Sequence, residues 1–241
     1  MKRKLLILIR IIDRIIDDCI AIVLIIIVLF GIYAASDLYS MYNLASIQSE
    51  RHRYTEDGEK KQEVKPYLDS KVGYITIDGT SIDYPVMQGE NNLTFLNTDP
   101  YGDYSVLGSI FMDCRNSPDF SDKYSLLYGH HMEYGVMFGA LDKYLKDGYL
   151  MKHSYGTLTV DRTGEKKKIV LFAVMEAPAT NKAVFAPTEN DDMNVKYIKQ
   201  HALFYFPENK PEKGDSILAL STCKFPDSAD RTIVFGALKK S

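Results

Sequence analysis

The architecture of this chain follows from the stretch Ser216-Ile-Leu-Ala-Leu-Ser-Thr-Cys223 and from the segment after it, Arg231-Thr-Ile-Val-Phe-Gly-Ala-Leu238. Both segments have the β-branched and apolar content of buried strands. The residues between them include Pro, Asp and Ser, which are typical of a loop. A cysteine therefore ends one predicted strand and an arginine begins the next. If the two strands pair, Cys223 and Arg231 lie at the same edge of the sheet.

Strand-like segments continue outward from this pair and predict a mainly β domain. The segments are short, turn residues separate them, and several alternate apolar with polar residues. The predicted strands are 73–78, 82–88, 107–113, 124–130, 156–162, 168–176, 216–223 and 231–238. Eight short strands indicate a closed barrel or a sandwich. Two helical inserts interrupt them, with apolar faces made by Met137, Leu141, Tyr144 and Leu145 in the first and by Val195, Ile198, Ala202 and Phe206 in the second.

The composition of the chain excludes some classes of function. Of its 241 residues, 46% are hydrophobic and 25% are charged, which suits one domain with a substantial core plus extensions. The net charge of −3 gives no basic footprint, so we expect no nucleic-acid partner. Three cysteines are too few for a fold built on disulfides. A single disulfide between Cys114 and Cys223 stays open at this point.

An uninterrupted apolar run near the N-terminus predicts a membrane anchor. Residues 19–35 are 17 apolar or small residues, about 25 Å of helix, which is near the lower limit for crossing a bilayer. Lysines and arginines precede the run, so we expect a cytoplasmic N-terminus and an extracellular remainder. A cleaved signal peptide is disfavoured because Tyr33 stands where cleavage requires a small residue, and a buried core helix because no other segment is equally apolar. The predicted organisation is a cytoplasmic amphipathic segment over 1–18, a transmembrane anchor over 19–36, an extracytoplasmic helical or linker extension over 37–70 and a β domain over 71–241.

A thiol at the end of a strand is either an inert packed group or a nucleophile. A neighbouring cation lowers the pKa of a thiol and raises the fraction of reactive thiolate. In the predicted sheet Arg231 lies near Cys223. Arg231 stays protonated at neutral pH, so its expected role is to stabilise the oxyanion that forms when a thiolate attacks an amide carbonyl. The structural alternative for Arg231 is an ion pair with Asp227 or Asp230.

Two adjacent histidines stand at the end of the strand predicted over 124–130. Histidine exchanges protons near neutral pH, which makes His130 the candidate acid and base. Because neighbouring residues of an extended strand face opposite ways, only one of His130 and His131 points toward the thiol. Zinc is the rival use of these histidines and the cysteines. The sequence has no C-x-x-C or H-x-x-x-H spacing, so we expect no metal.

Three of these segments together resemble the sortase family. Leu220-Ser221-Thr222-Cys223 is similar to the sortase motif T-L-x-T-C, with Ala219 in place of the first threonine. Tyr128-Gly129-His130 followed by Met137-Phe138 resembles the histidine segment of the family, and Arg231 matches the family arginine on the next strand. Within sortases, the N-terminal extension and the helical insert before the cysteine strand resemble class B.

The resemblance implies a fold and a site. The fold would be an eight-stranded sortase-type β-barrel with helical inserts and an N-terminal helical extension after one transmembrane helix. The catalytic residues would be Cys223 as nucleophile, His130 as general acid and base, and Arg231 for oxyanion stabilisation, with no cofactor. The segment Gln88-Gly-Glu-Asn-Asn92 with Phe95-Leu96 is similar to a class B groove segment. The substrate contacts implied in this way, together with those beside the nucleophile, are Asn92, Leu96, Ser221 and Thr222.

The resemblance also implies a reaction, namely transpeptidation at the outer face of a Gram-positive membrane. Cys223 would cleave the C-terminal sorting motif of a secreted protein after threonine and hold the protein as a thioester. An amine of a peptidoglycan precursor would then displace the thiol and join the protein to the cell wall. Two alternatives stay open: a membrane-anchored cysteine peptidase that only hydrolyses, and a non-catalytic barrel that binds wall or peptide ligands.

Overall fold

A computed structural model describes residues 2–56, 67–132, 135–187, 195–223 and 230–240. At residues 2–9, 37, 41–56, 223 and 240 the description covers the backbone only. The side chain of Cys223 and all of residues 224–229, which include Asp227, therefore lie outside the described residues. The chain divides into two units, Met1–Ser46 and Ile47–Ser241.

The first helix, α1, spans Lys2–Glu56. Within α1, the segment Arg10–Ser40 is long and apolar enough to cross a membrane, judged by length and composition. The side chains from residue 10 to residue 36 are all exposed. A long apolar surface of this kind is unfavourable in water and is typical of a segment with an apolar environment. The extension predicted over 37–70 is helical as far as Glu56.

The second unit contains nine strands and several short helices among its described residues. The strands are β1 (Lys71–Ile77), β2 (Asp83–Met87), β3 (Ile110–Met112), β4 (Tyr124–Tyr128), β5 (Tyr155–Val160), β6 (Lys166–Pro178), β7 (Phe204–Tyr205), β8 (Ser216–Cys223) and β9 (Asp230–Lys240). The helices are the 3-10 helix Phe138–Leu145, α2 (Tyr149–Lys152), α3 (Lys182–Phe185), α4 (Val195–His201) and the 3-10 turn Pro207–Asn209.

Eight of the described strands close into a barrel. Their hydrogen-bonded order is β5-β1-β2-β3-β4-β8-β9-β6, and β6 pairs back with β5. The two-residue strand β7 pairs with β6 beside the closed ring. Closure pairs each of the eight described ring strands on both sides. The eight-stranded barrel that the sequence predicts is therefore confirmed.

The strands that lead to the site are buried on both faces. Leu218, Ala219 and Leu220 of β8 have no exposed surface. Val184 of α3 and Ile198 of α4 belong to the same buried cluster as Ala219, so these helices cover one face of the sheet. Burying one large aliphatic side chain contributes about 1.5–3 kcal/mol to stability. Burial on both faces explains why β8 and β9 are continuous apolar runs without alternation.

The second helical insert ends earlier than its apolar spacing predicts. α4 ends at His201, and Phe206, which the spacing places on the helix, has extended backbone. The Leu203 N–H donates to Val174 O at 2.8 Å, and the Phe206 N–H donates to Phe172 O at 2.7 Å. Pairing with β6 therefore replaces the last predicted helical turn.

The first helical insert is a 3-10 helix, and it begins after Met137. Met137 is fully buried, but it is the N-cap residue and has a φ of 51°, which is uncommon for a residue other than glycine. Its N–H donates to the Tyr84 hydroxyl at 3.2 Å. The predicted apolar face is thus buried, although its first residue lies outside the helix.

Candidate active site

A cleft of about 360 Å³ opens where β4 and β8 end and β9 begins. Polar and aromatic side chains from widely separated segments line it. The lining residues are Asn92, Leu96, Phe111, Arg115, Tyr128, Gly129, His130, Ala179, Phe185, Ser221 and Arg231. Five of the residues singled out from the sequence therefore come together, and they are Asn92, Leu96, His130, Ser221 and Arg231.

The end of β8 and the start of β9 bring Cys223 and Arg231 together. The two residues are direct partners in the antiparallel register, and α-carbons of such partners lie about 4.5–5.5 Å apart. The pairing that the sequence predicts is thus confirmed for the backbone. Arg231 is half-buried in the cleft, and its Nη1 donates to Asp230 O at 3.3 Å.

Strand β4 runs parallel to β8 and brings the histidine segment to the same end of the barrel. Tyr128 pairs with Ser221, and the Gly129 N–H donates to Ser221 O at 3.1 Å. A β-carbon on Gly129 would lie 2.5 Å from Ile110 Cδ1, closer than atoms in contact can approach. Gly129 thus packs closely against side chains at the end of β4, and His130 is the next residue.

The backbone at Leu96, which lines the cleft, orients the imidazole of His130. His130 Nε2 lies 2.7 Å from Leu96 O. A carbonyl oxygen can only accept, so Nε2 carries the hydrogen in this contact and Nδ1 is left to exchange a proton. The backbone is held as well, because the Phe138 N–H donates to His130 O at 3.2 Å.

His131 has a different environment from His130. Its Nε2 lies 2.7 Å from Asp142 Oδ2, and it lines a second concave surface with Lys143 and Lys146. Of the two histidines, only His130 lines the cleft. Strand-like alternation thus separates the two side chains as the sequence predicts.

A buried carboxylate beneath the cleft organises several polar side chains. Asp113 Oδ2 accepts hydrogen bonds from Asn92 Nδ2 and the Tyr128 hydroxyl, both at 2.9 Å, and Arg115 donates to both carboxylate oxygens at 2.8 Å. Burial raises the pKa of Asp113, but the hydrogen bonds from Arg115, Tyr128 and Asn92 outweigh burial and leave this pKa below its ordinary value of 3.8. Burial and the Asp113 charge raise the pKa of the Tyr128 hydroxyl. At neutral pH the carboxylate is therefore charged and the phenol neutral.

The remaining predicted residues are placed differently. Ser221 Oγ is buried at the cleft and has no hydrogen-bond partner among the described atoms. Thr222 is buried and does not line the cleft, because successive residues of a strand face opposite sides. Cys114 is a free, half-buried thiol, so the disulfide to Cys223 is not formed. In the described part of the chain, no group of three or more His, Cys, Asp or Glu side chains is placed to bind a metal ion.

Sequence reasoning missed the side chains that complete the walls of the cleft. The Tyr128 ring lies between the rings of Phe111 and Phe185, with centroids 5.3 and 6.5 Å away. Arg115 Nη2 donates to Phe185 O at 2.6 Å, across 70 residues of chain. The pair Asp113-x-Arg115 directly after a strand was the local signal for this cluster. The contact between Arg115 and Phe185 has no local sequence signal, because it joins residues far apart in the chain.

Comparisons with known proteins agree with this geometry. Residues 75–239 match the family model of the sortase domain. Sortase B of Staphylococcus aureus is 31% identical over 174 residues, which are 70% of each chain. Sortase B of Listeria monocytogenes is 34% identical over 155 residues, 63% of this chain and 62% of the Listeria protein. The crystal structure of a Streptococcus pyogenes class B sortase involved in pilus biogenesis matches with a TM-score of 0.64 and 36% identity, and the match covers 72% of this chain and 94% of that one.

Proposed function

This chain belongs to the sortase family, in class B, and is a cysteine transpeptidase; from that premise we propose that it cleaves sorting motifs after threonine and joins the cleaved proteins to a peptidoglycan amine. The observation that carries the proposal is the cleft at the barrel end. His130 and Arg231 line it, and the backbone of Cys223 pairs directly with Arg231. A nucleophile, an acid–base group and a fixed cation are the groups that acyl transfer through a thioester requires.

In this proposal Cys223 is the nucleophile. Its thiolate attacks the threonine carbonyl carbon of the sorting motif, and the carbonyl oxygen becomes an oxyanion. Arg231 stabilises that oxyanion, because a guanidinium stays protonated and offers several N–H donors. When the intermediate collapses, the carbon–nitrogen bond breaks and the threonine end of the substrate stays on Cys223 as a thioester.

His130 moves the protons in both halves of the proposed reaction. In the first half its imidazolium donates a proton from Nδ1 to the departing amine, since Nε2 is already bound to Leu96 O. In the second half the neutral Nδ1 accepts a proton from the incoming amine as that amine attacks the thioester. The new amide bond forms, the thiolate of Cys223 leaves, and the starting state returns.

The sorting peptide occupies the cleft in this account. Asn92, Leu96 and Ser221 line the cleft, and the buried Ser221 hydroxyl is available for a backbone group of the peptide. Leu96 and the Tyr128 ring offer apolar contacts. Thr222 belongs to the substrate-contacting set only through the backbone of β8, because its side chain is turned away from the cleft.

We further propose a single-pass topology with residues 1–18 in the cytoplasm, 19–36 in the membrane, and the extension 37–70 and the catalytic domain 71–241 outside. The apolar segment within α1 and the lysines and arginines before it support this orientation. Anchoring would hold the enzyme where exported substrates and lipid-linked amines both occur. Protease added to intact protoplasts should digest or release the catalytic domain. A domain that is protected until the membrane is lysed would contradict the topology.

Product analysis tests the proposed reaction. The full-length protein in detergent is incubated with a pentapeptide library in which threonine is fixed at the cleavage position, with and without triglycine. We expect cleavage after threonine and, with triglycine, ligated peptide identified by its mass. Nα-acetyl-lysine in a parallel reaction tests a lysine acceptor. Hydrolysis alone at saturating amine would contradict transpeptidation.

A further inference from the structure

Asp113 carries a buried charge to which the proposed chemistry gives no role. Its side chain has no exposed surface, and it accepts hydrogen bonds from the side chains of Asn92, Arg115 and Tyr128. Burying an isolated carboxylate is strongly unfavourable, so such a group persists where several donors compensate for lost water. All three donors belong to side chains that line the cleft.

On one side, Asp113 fixes the wall that contains Asn92. Asn92 Nδ2 donates to Asp113 Oδ2 at 2.9 Å, and Asn92 Oδ1 accepts the Cys114 N–H at 2.8 Å. Both ends of the amide are thus held by neighbouring residues of one loop, which sets its orientation. The second Nδ2 hydrogen and the second Oδ1 lone pair are left for a peptide.

On the other side, Asp113 fixes the wall that contains α3, through Arg115. The guanidinium donates to both oxygens of Asp113, and its Nη2 also donates to Phe185 O at 2.6 Å. Tyr128 donates its hydroxyl to the same carboxylate and stacks on the Phe185 ring at an interplanar angle of 16°. Through Arg115 and Tyr128, the carboxylate therefore connects Phe185, the last residue of α3, to the end of β4.

Only a carboxylate can serve all of these donors. Ionised Asp accepts at both oxygens and donates nothing, whereas the amide of Asn presents two hydrogens at one end. In Asp113→Asn the amide NH₂ would face Arg115 Nε if it took the place of Oδ1. If it took the place of Oδ2, it would face Arg115 Nη2, Asn92 and Tyr128. One set of hydrogen bonds would be lost, and the guanidinium would lose its counter-charge.

We propose that Asp113 is a positioning residue. It holds the wall with Asn92 and the wall with α3 in fixed positions relative to each other, and so determines the affinity of the cleft for the sorting peptide. This inference rests on the proposed function of the cleft. In the hydrogen bonds of the described residues, Asp113 contacts neither His130 nor Arg231, and it acts through Asn92, Arg115 and Tyr128. Its loss should therefore weaken peptide binding much more than it slows the chemical steps.

The proton-transfer group is anchored independently of Asp113. Leu96 O, which binds His130 Nε2, belongs to a turn held by its own backbone hydrogen bonds, from Leu96 N–H to Leu93 O at 3.2 Å and from Ser109 N–H to Phe95 O at 3.0 Å. Movement of Asn92 does not break these bonds. We therefore expect kcat to change little when the Asp113 carboxylate is removed.

The test compares Asp113→Asn with Asp122→Asn in the full-length protein. Asp122 lies in the same loop between β3 and β4, and its Oδ2 accepts only from Asn116 Nδ2 and the Ser117 N–H among the bonds described, away from the cleft. The probe is the library peptide that the unmodified protein cleaves fastest, with triglycine as acceptor. We expect KM for the peptide to rise about tenfold or more in Asp113→Asn, with kcat within about threefold. Asp122→Asn should keep the KM of the unmodified protein.

A second variant and a second measurement keep the proposal testable if Asp113→Asn does not fold. Arg115→Lys keeps a cation but lacks the fork that spans Asp113 and Phe185 O, so it should raise KM in the same way. Hydrogen exchange followed by mass spectrometry reports on the wall without any peptide. The amides of residues 183–186, which bond back to Asn181 and Lys182, should exchange about tenfold faster in Asp113→Asn and Arg115→Lys but not in Asp122→Asn.

The outcomes separate this inference from the proposed function. Unchanged KM in both cleft variants, or an equal fall of kcat in Asp113→Asn and Asp122→Asn, would overturn the role of Asp113 while leaving transpeptidation intact. Failure of the unmodified protein to cleave any library peptide would overturn the proposed function. In that case the exchange rates of the amides of residues 183–186 still decide whether Asp113 holds the wall. Unchanged rates in Asp113→Asn and Arg115→Lys would overturn the role of Asp113.

Discussion

Replacing Cys223 with alanine should reduce cleavage of the sorting peptide by at least about 10³-fold, because none of the described residues that line the cleft has a thiol to form the thioester. The loss should appear in kcat, since alanine removes the reacting sulfur and leaves the walls of the cleft unchanged. The measurement is steady-state cleavage of the library peptide by the full-length protein. Folding is checked by hydrogen exchange in β8 and β9, which should match that of the unmodified protein.

The matched control is Cys114→Ala. Cys114 is the other described cysteine of the barrel unit, a free and half-buried thiol in the loop after β3. This variant should keep activity within about threefold, the range expected for loss of one small side chain outside the reacting set. Retention of most activity by Cys223→Ala, or its loss in Cys114→Ala alone, would contradict the assignment of the nucleophile.

Replacing His130 with alanine should reduce kcat by about 10²–10⁴-fold, the usual contribution of a positioned acid–base group. Its Nε2 is bound to Leu96 O, so the imidazole is oriented to exchange protons through Nδ1. The neighbouring variant His131→Ala should stay within about threefold, because that ring does not line the cleft and pairs instead with the half-exposed Asp142. Both variants are measured with the same peptide and amine.

The comparison of the two histidine variants tests the assignment of His130 over its neighbour His131. A large loss in His131→Ala with normal activity in His130→Ala would reverse the assignment. Equal losses in both would indicate that this turn has a structural role. In that case the exchange rates of Gly129 and Phe138 amides, which hold the turn, should rise in both variants.

Much of the fold could be predicted because its signals are local. The apolar run that became β8 ends at Cys223, and the run that became β9 begins at Arg231. The predicted strand limits agree with the structure within a few residues. Pairing of the two strands then follows from a short loop, so the proximity of these residues could be predicted before any coordinates. The sequence adds His130 to this pair because its strand-like run also ends at a residue suited to acid–base chemistry, and the resemblance to sortases supports the choice. The parallel pairing of β4 with β8 that brings His130 to this end of the barrel has no local signal.

The parts that could not be predicted depend on contacts between distant segments. Phe206 has the spacing of a helical residue, but hydrogen bonds to β6 give it extended backbone. Asp113 is of a residue type common in turns, and the positioning role that we propose for it depends on the contact of Arg115 with Phe185 O. Thr222 follows Ser221 in the family motif, yet only Ser221 lines the cleft. Hydrogen-bond partners of buried polar groups come from tertiary structure, which a local pattern does not encode.

The central claim is that the reaction proceeds through a thioester on Cys223, and the most direct test is the mass of the enzyme during turnover. Full-length protein is mixed with the library peptide that it cleaves fastest. The reaction is stopped in acid, and the protein is digested for mass spectrometry. We predict that the fragment containing Cys223 gains the mass of the peptide's acyl portion through threonine, and that added triglycine removes this adduct as ligated product appears. Peptide cleavage with no adduct at Cys223, or with the adduct at Cys114, would contradict the account.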